Sequence, residues 1–220
     1  MKLKFIKIIK LMEVLYMNTN ILLCLVGETG TGKDTVAKYL GLNQVVSYTT
    51  RPKREHETNG KEHYFITEEE YKNIINNEHI IAPATIGNTK YFAIYERLEG
   101  DNIYIIEPSG VEWIHNNPID GLNVITIGLY VPLEERMKRC SWRSDFESSF
   151  KKRVEDESQL FERFRINGDF DYIINNKNSQ NTANIIKQII KNKKEELIEI
   201  NKNDNYKIDE DTYNLHYMWE

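Results

Sequence analysis

Cysteine is scarce in this chain: Cys24 and Cys140 are the only two, and they are too far apart to make a CxxC pair. That excludes a disulfide framework of the kind small secreted domains rely on and gives no structural zinc site, so a reducing compartment, the cytoplasm, is expected. His56, His79, His115 and His216 are scattered and suggest no metal cluster. An excess of positive charge is also missing, since 29 Lys and Arg stand against 34 Asp and Glu for a net charge of −5. A general nucleic-acid partner is thereby excluded, and any anion site must be local. No apolar run approaches the roughly 20 residues needed to cross a bilayer, which excludes a membrane span. The first residues set Lys2, Lys4, Lys7 and Lys10 among Ile, Leu and Phe with no small-residue cleavage site after them, so 1–18 reads as an N-terminal extension.

What is present is a repeated alternation. Short apolar runs at Ile21–Val26, Gln44–Tyr48, Asn102–Glu107, Asn123–Val131 and Asp171–Asn175 have strand length. Helical patterns lie between and after them, over Asp34–Leu42, Val111–Asn116, Pro132–Trp142, Phe150–Arg165 and Thr182–Lys194. Strands alternating with helices predict an α/β fold with a parallel sheet and crossover helices. Ile21–Val26 is almost wholly apolar, as a strand buried on both faces must be. One stretch breaks the alternation. Between residues 50 and 96 come a polar loop, a helix opened by the capping box Thr67 to Glu70, and two strand-like runs joined at Gly87-Asn88, a favoured hairpin turn. These predict a small inserted lobe. At 220 residues the whole is one folding unit, with the main domain over 19–197 and a charged, aperiodic C-terminal tail over 198–220 that is expected to be flexible or to dock weakly.

The strongest local signal is Gly27-Glu28-Thr29-Gly30-Thr31-Gly32-Lys33-Asp34-Thr35, a G-x-x-x-x-G-K match placed between a buried strand and a helix. In that setting the glycines let successive N–H groups turn toward phosphate oxygens, the helix N-terminus adds positive potential, and Lys33 reaches the outer phosphates of ATP as a point charge. Where the pattern has Ser or Thr after the lysine, this chain has Asp34, with Thr35 one position later. Both supply the hard oxygen donors that Mg2+ prefers, so magnesium is expected with Asp34, Thr35 or both as its ligands.

A second anion-binding pattern follows in Ser47-Tyr48-Thr49-Thr50-Arg51-Pro52-Lys53-Arg54, then Glu57, Asn59-Gly60 and His63-Tyr64-Phe65. Two arginines three apart in a threonine-rich loop can clamp a phosphate with forked donors, and a position after a strand's carboxyl end is where open α/β sheets bind ligands. Further on, Arg136, Arg139, Arg143 and Arg153 gather around Trp142; arginines on a closing segment can neutralise charge on a phosphoryl group in transfer and exclude water.

From about Ile21 to Asn175 the chain resembles the guanylate kinase family, on its P-loop, its S-x-T-T-R-x-x-R-x-x-E-x-x-G segment and its later arginines. The resemblance implies a P-loop kinase core with a five-stranded parallel sheet flanked by helices, a mobile acceptor lobe over about 50–96 and a helical lid over about 138–156. It implies an enzyme, a nucleoside monophosphate kinase that moves the terminal phosphoryl group of ATP onto GMP or a related nucleotide, working as a monomer or homodimer. By the same resemblance Arg51 and Arg54 bind the acceptor phosphate, and Ser47, Glu57 and Tyr91 line that pocket. His63 stands where the family has a phosphate-binding tyrosine, Glu107 matches an acidic position near acceptor or magnesium, Arg143 and Arg153 are lid contacts, and Asn175 lies near the adenine. The family's guanine-reading glutamate falls at Ile81 or Ala82, neither of which can pair with a purine edge, so base readout is relaxed or redirected. Two other readings stay open: a kinase of another phosphorylated acceptor, such as a different nucleotide or a ribose phosphate, and a guanylate-kinase-like interaction module without catalysis.

Overall fold

The computed structural model describes residues 19–55, 57–86, 88–141, 150, 152–155, 157, 161 and 170–216, with side chains as far as residue 199 except at 86. Everything is organised around strand β1, Ile21–Gly27, whose seven residues are all buried. Side chains alternate across a strand. Thus Ile21, Leu23 and Leu25 face one way, onto Val36 and Leu40 of helix α1 (Lys33–Leu40) and onto Ala183 and Ile186 of the final helix. Leu22, Cys24 and Val26 face the other way, toward Val111 and Ile114 of helix α3 (Pro108–Asn116). One apolar strand therefore supplies both layers of core, and the continuous hydrophobic run in the sequence follows from that.

Chain order gives strands β2 (Asn43–Gln44), β3 (Tyr48–Thr49), β4 (Tyr64–Phe65), β5 (Ile80–Ile86), β6 (Thr89–Ile94), β7 (Asn102–Ile105), β8 (Asn123–Tyr130) and β9 (Tyr172–Asn175). Helix α2 (Glu68–Asn77) precedes the hairpin, α4 (Leu133–Cys140) follows β8, and α5 (Ser179–His216) closes the chain. Five strands form the main sheet in the order β2-β7-β1-β8-β9, and every pairing in it is parallel. The expected α/β class and five-stranded parallel core are both present. Because all five strands run the same way, the turns that leave them emerge on one edge. The glycine-rich turn follows β1, the Ser47 loop follows β2, Glu107 follows β7, Pro132 follows β8 and Asn176 follows β9.

The expected strand Gln44–Tyr48 is instead two strands in two sheets. Asn43–Gln44 pairs with β7, whereas Tyr48–Thr49 pairs with β4 and β6 in a four-stranded sheet of order β4-β3-β6-β5. Val45 still donates to the Ile103 carbonyl at 2.9 Å, and Ser47 already accepts from the Tyr64 amide at 2.9 Å, so the chain changes partners within three residues. That crossing carries the inserted lobe. In the lobe the Thr67 capping box forms as its sequence predicts, with Glu70 N donating to the Thr67 hydroxyl at 3.1 Å and Thr67 N to the Glu70 carboxylate at 2.7 Å. The β5–β6 hairpin also forms, with an irregularity between Ile81 and Ala84 where Ala82 takes a positive φ of 49°.

Two expected boundaries move. Gly41, at φ 69°, ends α1 before Leu42. The C-terminal tail is helical in its backbone, since α5 continues to His216. Ala183, Ile186, Ile190 and Leu197 dock the helix on the core, Lys191–Glu195 and Lys193–Glu196 pair along it at helical spacing, and residues 198–216 continue it without an apolar stripe of their own. Among the described residues Cys24 and Cys140 are free and buried, and no helix is long and apolar enough to cross a membrane. Leu23 is fully buried at the centre of β1. Leu23→Ala is expected to destabilise the fold by about 2–5 kcal/mol, read as a lowered midpoint in urea denaturation.

Candidate active site at the carboxyl edge of the sheet

The glycine-rich turn is shaped by its two left-handed glycines, Gly30 at φ 87° and Gly32 at φ 88°. A Cβ at Gly30 would lie 3.1 Å from the Arg136 Cβ, and one at Gly32 would lie 2.9 Å from the Asn176 side-chain nitrogen. Conformation and close approach both require glycine there. Between them Thr31 closes the loop, its amide and hydroxyl donating to the Glu28 carbonyl at 3.1 and 2.8 Å. Lys33 folds back so that Nζ donates to the Gly27 carbonyl at 2.5 Å. A cleft of about 530 Å³ opens in front, with Gly30, Gly32, Lys33, Asp34 and Thr35 on one wall and Arg139, Lys177 and Ser179 among the residues on the other. Asp34 and Thr35 are exposed to this cleft. No group of three or more His, Cys, Asp or Glu that could hold a metal occurs among the described residues. Two hard oxygen donors at a helix N-terminus fit Mg2+, which keeps several waters and takes substrate phosphates as ligands.

Sequence reasoning named the turn but missed what holds it. Arg136 is 4 % exposed and spends its guanidinium on the turn and its neighbour strand. Nη1 donates to the Thr29 carbonyl at 3.1 Å, Nη2 to the Glu28 carboxylate at 3.0 Å and Nε to the Val131 carbonyl at 3.1 Å. Asn176 is fully buried; it donates to the Thr31 carbonyl at 2.7 Å and accepts from the Thr182 hydroxyl at 2.9 Å. Both side chains take carbonyls of the loop, so the loop's amides need not turn to satisfy them. The predicted Asn175 is exposed at the end of β9, beside the cleft wall, and its neighbour Asn176 makes the contact with the turn. The buried GxxxxGK position Glu28 was the available signal, because a carboxylate in a loop built for anions demands a cation partner.

The second site assembles in the lobe from residues far apart in sequence. Thr49 and Thr50 fasten the loop to β6: Thr50 N donates to the Lys90 carbonyl at 3.1 Å, and Lys90 N to the Thr50 hydroxyl at 3.0 Å. Arg51 then meets Glu57 in a forked pair, with Nη1 2.7 Å from Oε2 and Nη2 2.5 Å from Oε1. The Arg54 amide also donates to Glu57, at 2.8 Å. Glu57 is 7 % exposed, and the Arg51 guanidinium beside it holds its carboxyl down at about 2. Glu57 thus acts through Arg51, fixing the plane of the fork. Gly60, at φ 81°, turns the chain so that its amide donates to the His63 carbonyl at 2.9 Å. His63 Nδ1 lies 2.8 Å from the Ser47 hydroxyl, and its ring meets Tyr91 edge-on at 5.8 Å between centroids. Burial, with Arg51 adding to it, lowers the pKa of His63, so the ring is neutral at physiological pH. Arg51, Glu57, Ser47, His63 and Tyr91 form one cluster, while the Arg54 side chain stands exposed at its rim.

Glu107 belongs to the donor side of the edge. The parallel pairing of Leu25 with Ile105, continued by Ile106 N donating to the Leu25 carbonyl at 3.2 Å, brings it beside the glycine-rich turn. Surrounding protein raises the pKa of its carboxyl, the positive charge of Lys33 pulls it down and the negative charge of Glu157 pushes it up. Arg153 is half-buried in the helical segment after α4. Arg143 lies outside the described residues.

A parallel sheet with crossover helices, a glycine-rich turn at the end of its central strand and an arginine-bearing insertion on the same edge define a P-loop phosphotransferase. The guanylate kinase family model matches residues 19–193. The guanylate kinase of Mycoplasma genitalium is 30% identical over 199 residues, covering 84% of this chain and 80% of that one. That of Malacoplasma penetrans is 28% identical over 176 residues, covering 74% and 89%. The crystal structure of guanylate kinase from Anaplasma phagocytophilum superposes with a TM-score of 0.56 at 22% identity, over 80% of this chain and 86% of that one, a likeness of fold. The chain belongs to the guanylate kinase family, and so to the nucleoside monophosphate kinases.

Two outcomes follow from the site's electrostatics. Arg136→Met, which removes the cation from beside buried Glu28, is expected to cost about 3–5 kcal/mol; adding Glu28→Gln should recover much of that stability while ATP affinity stays below wild type, because the Thr29 carbonyl has lost its donor. Denaturation curves and calorimetric titration read the two effects separately. Because Glu57 has a depressed carboxyl pKa, its pairing stabilises the fold above the unfolded value of about 4.5 and is lost as pH falls toward about 2. Acid unfolding of Glu57→Gln should lack the part of the pH dependence that the wild type shows in that window.

Proposed function

We propose that this chain transfers the terminal phosphoryl group of ATP to a nucleoside monophosphate, GMP or a related nucleotide, giving ADP and a nucleoside diphosphate. The observation that carries this reading is the Arg51 cluster: a guanidinium with its plane set by a buried carboxylate, flanked by Ser47, His63 and Tyr91, in a lobe inserted at the edge that also bears the glycine-rich turn. An ATPase without an acceptor has no use for such a site. An interaction module has no use for an intact Lys33 turn braced by Arg136 and Asn176.

In the proposed mechanism the amides of the turn and Lys33 hold the donor phosphates. Lys33 leaves the Gly27 carbonyl to do so, exchanging a neutral acceptor for an anionic one. Arg51 and Arg54 hold the acceptor phosphate so that one of its oxygens attacks the terminal phosphorus in line. A bond forms from that oxygen to phosphorus as the bond from phosphorus to the bridging oxygen breaks, and the negative charge passes to ADP. Positioning and charge neutralisation carry most of this catalysis, and no dedicated general base is needed. Arg143 and Arg153 are proposed to add positive charge from the lid. Mg2+, held through Asp34 and Thr35, would neutralise charge on the donor phosphates. Tyr91 and His63 steady the acceptor phosphate, and Glu107, beside the glycine-rich turn, is proposed to orient the acceptor.

Base readout at Ile81 and Ala82 is lost. Ile81 and Ala82 are buried in the apolar cluster with Ile106 and Val111, so no polar group at those positions reaches the acceptor. A site without a partner for the purine edge discriminates less. In a coupled assay with ATP and a panel of GMP, dGMP, AMP, CMP, UMP and ribose 5-phosphate, turnover is expected with nucleoside monophosphates, with GMP favoured over the others by less than about two orders of magnitude. Turnover with ribose 5-phosphate alone would replace the nucleotide reading, and turnover with none of the panel would end it. Lys33→Ala should lower kcat by at least about 10²-fold while acceptor binding persists in titration.

A further inference from the structure

Thr29, the third residue of the glycine-rich turn, is held from two directions. Arg136 takes its carbonyl from behind. From the other side the carboxylate of Glu157, 128 residues away in the helical segment that follows α4, takes both of its donors: the Thr29 amide lies 2.6 Å from Oε2 and the Thr29 hydroxyl 2.6 Å from Oε1. The two contacts differ in kind. Arg136 binds a carbonyl, the part of the loop that a phosphate does not use. Glu157 is an anion seated on an amide of a turn whose amides serve to bind anions.

Its surroundings place the carboxylate in the reaction space. Glu157 is close enough to Glu107 to push that carboxyl's pKa up, while Lys33 pulls the same group down. Lys33 in turn points away, onto the Gly27 carbonyl. Glu157 therefore sits on the same turn whose amides and lysine are proposed to hold the donor phosphates. A triphosphate and the Glu157 carboxylate repel each other there and compete for the same donor groups.

We propose that Glu157 is a built-in competitor for the donor's phosphates: it takes the Thr29 amide and hydroxyl, and must release them when ATP binds. The contact ties Glu157 to the turn, and phosphate binding exchanges that tie for the ligand. Its strength sets how much of the intrinsic nucleotide affinity is expressed, since a ligand that must displace an internal group binds more weakly by the population of the occupied state. This role rests on the donor-site reading above and is independent of which acceptor the enzyme uses.

The test is calorimetric titration of the full chain and of Glu157→Gln and Glu157→Ala with Mg2+ and a non-hydrolysable ATP analogue, with ADP, and with adenosine, no acceptor being present. Both variants should bind the triphosphate more tightly, by about three- to tenfold as expected for removal of a charge-assisted contact that is partly replaced by water. The gain should shrink for ADP and vanish for adenosine, which carries no phosphate. The nucleotide-free variants should also melt at a lower temperature than the wild type. Loss of stability together with a gain of affinity separates competition from simple bracing, which would weaken both. Triphosphate affinity that is unchanged or lower in both variants, or an equal gain for adenosine, overturns the role of Glu157. A wild-type chain that binds no triphosphate overturns the donor site itself and this role with it.

Discussion

The structure depends on how the peptide groups of a seven-residue turn are oriented. An anion cradle made of main-chain amides works only if the carbonyls of the same peptides point elsewhere and are satisfied there, since a buried unpaired carbonyl is costly. Here Arg136 takes the Thr29 carbonyl, Asn176 the Thr31 carbonyl, and Thr31 itself the Glu28 carbonyl. These supports come from α4, from the turn after β9 and from the loop. They can converge only because β1 lies at the middle of a sheet whose strands all end on one edge. The apolar character of β1 is thus a condition of the chemistry as well as of stability.

The acceptor side follows a different logic. Its groups belong to a lobe with a small sheet of its own, and the buried pairing of Glu57 with Arg51 performs the task that main-chain geometry performs on the donor side. A guanidinium on a flexible stem loses rotamer freedom when it binds phosphate; holding it in a forked pair beforehand removes much of that cost. The lobe is also continuous with the core, because Ile81, Ala82 and Ala93 of its hairpin pack with Ile106 and Val111. The same apolar packing that anchors the hairpin buries Ile81 and Ala82.

Much of this was legible from residues alone where the physics is local. The glycine-rich turn, the Thr67 capping box, the β5–β6 pairing and the alternation of strands and helices each depend on neighbours within a few positions, and each appears at the place the sequence indicates. The cluster of Ser47, Arg51, Glu57, His63 and Tyr91 was also recoverable, through motif likeness rather than through spacing. Less visible were the split of Gln44–Tyr48 between two sheets and the bracing of the turn by Arg136 and Asn176. The first depends on which strands compete for Tyr48, and the second on how α4 and the end of β9 pack against the turn. The helical course of residues 198–216 was hidden for another reason: a segment rich in Asn and Asp and without an apolar stripe gives neither a propensity nor a periodic signal.

By itself the sequence determined the class of fold, the donor loop and the charge types available at the acceptor loop, because backbone conformation and hydrophobic periodicity are short-range properties. Only the tertiary structure decided which side chains meet. It gave Arg136 to Glu28 and Thr29, aimed Glu157 at the same threonine, and buried Ile81 and Ala82 in the apolar core. Those pairings join residues tens to more than a hundred positions apart, and their partners are selected by packing of whole elements, which no local pattern encodes.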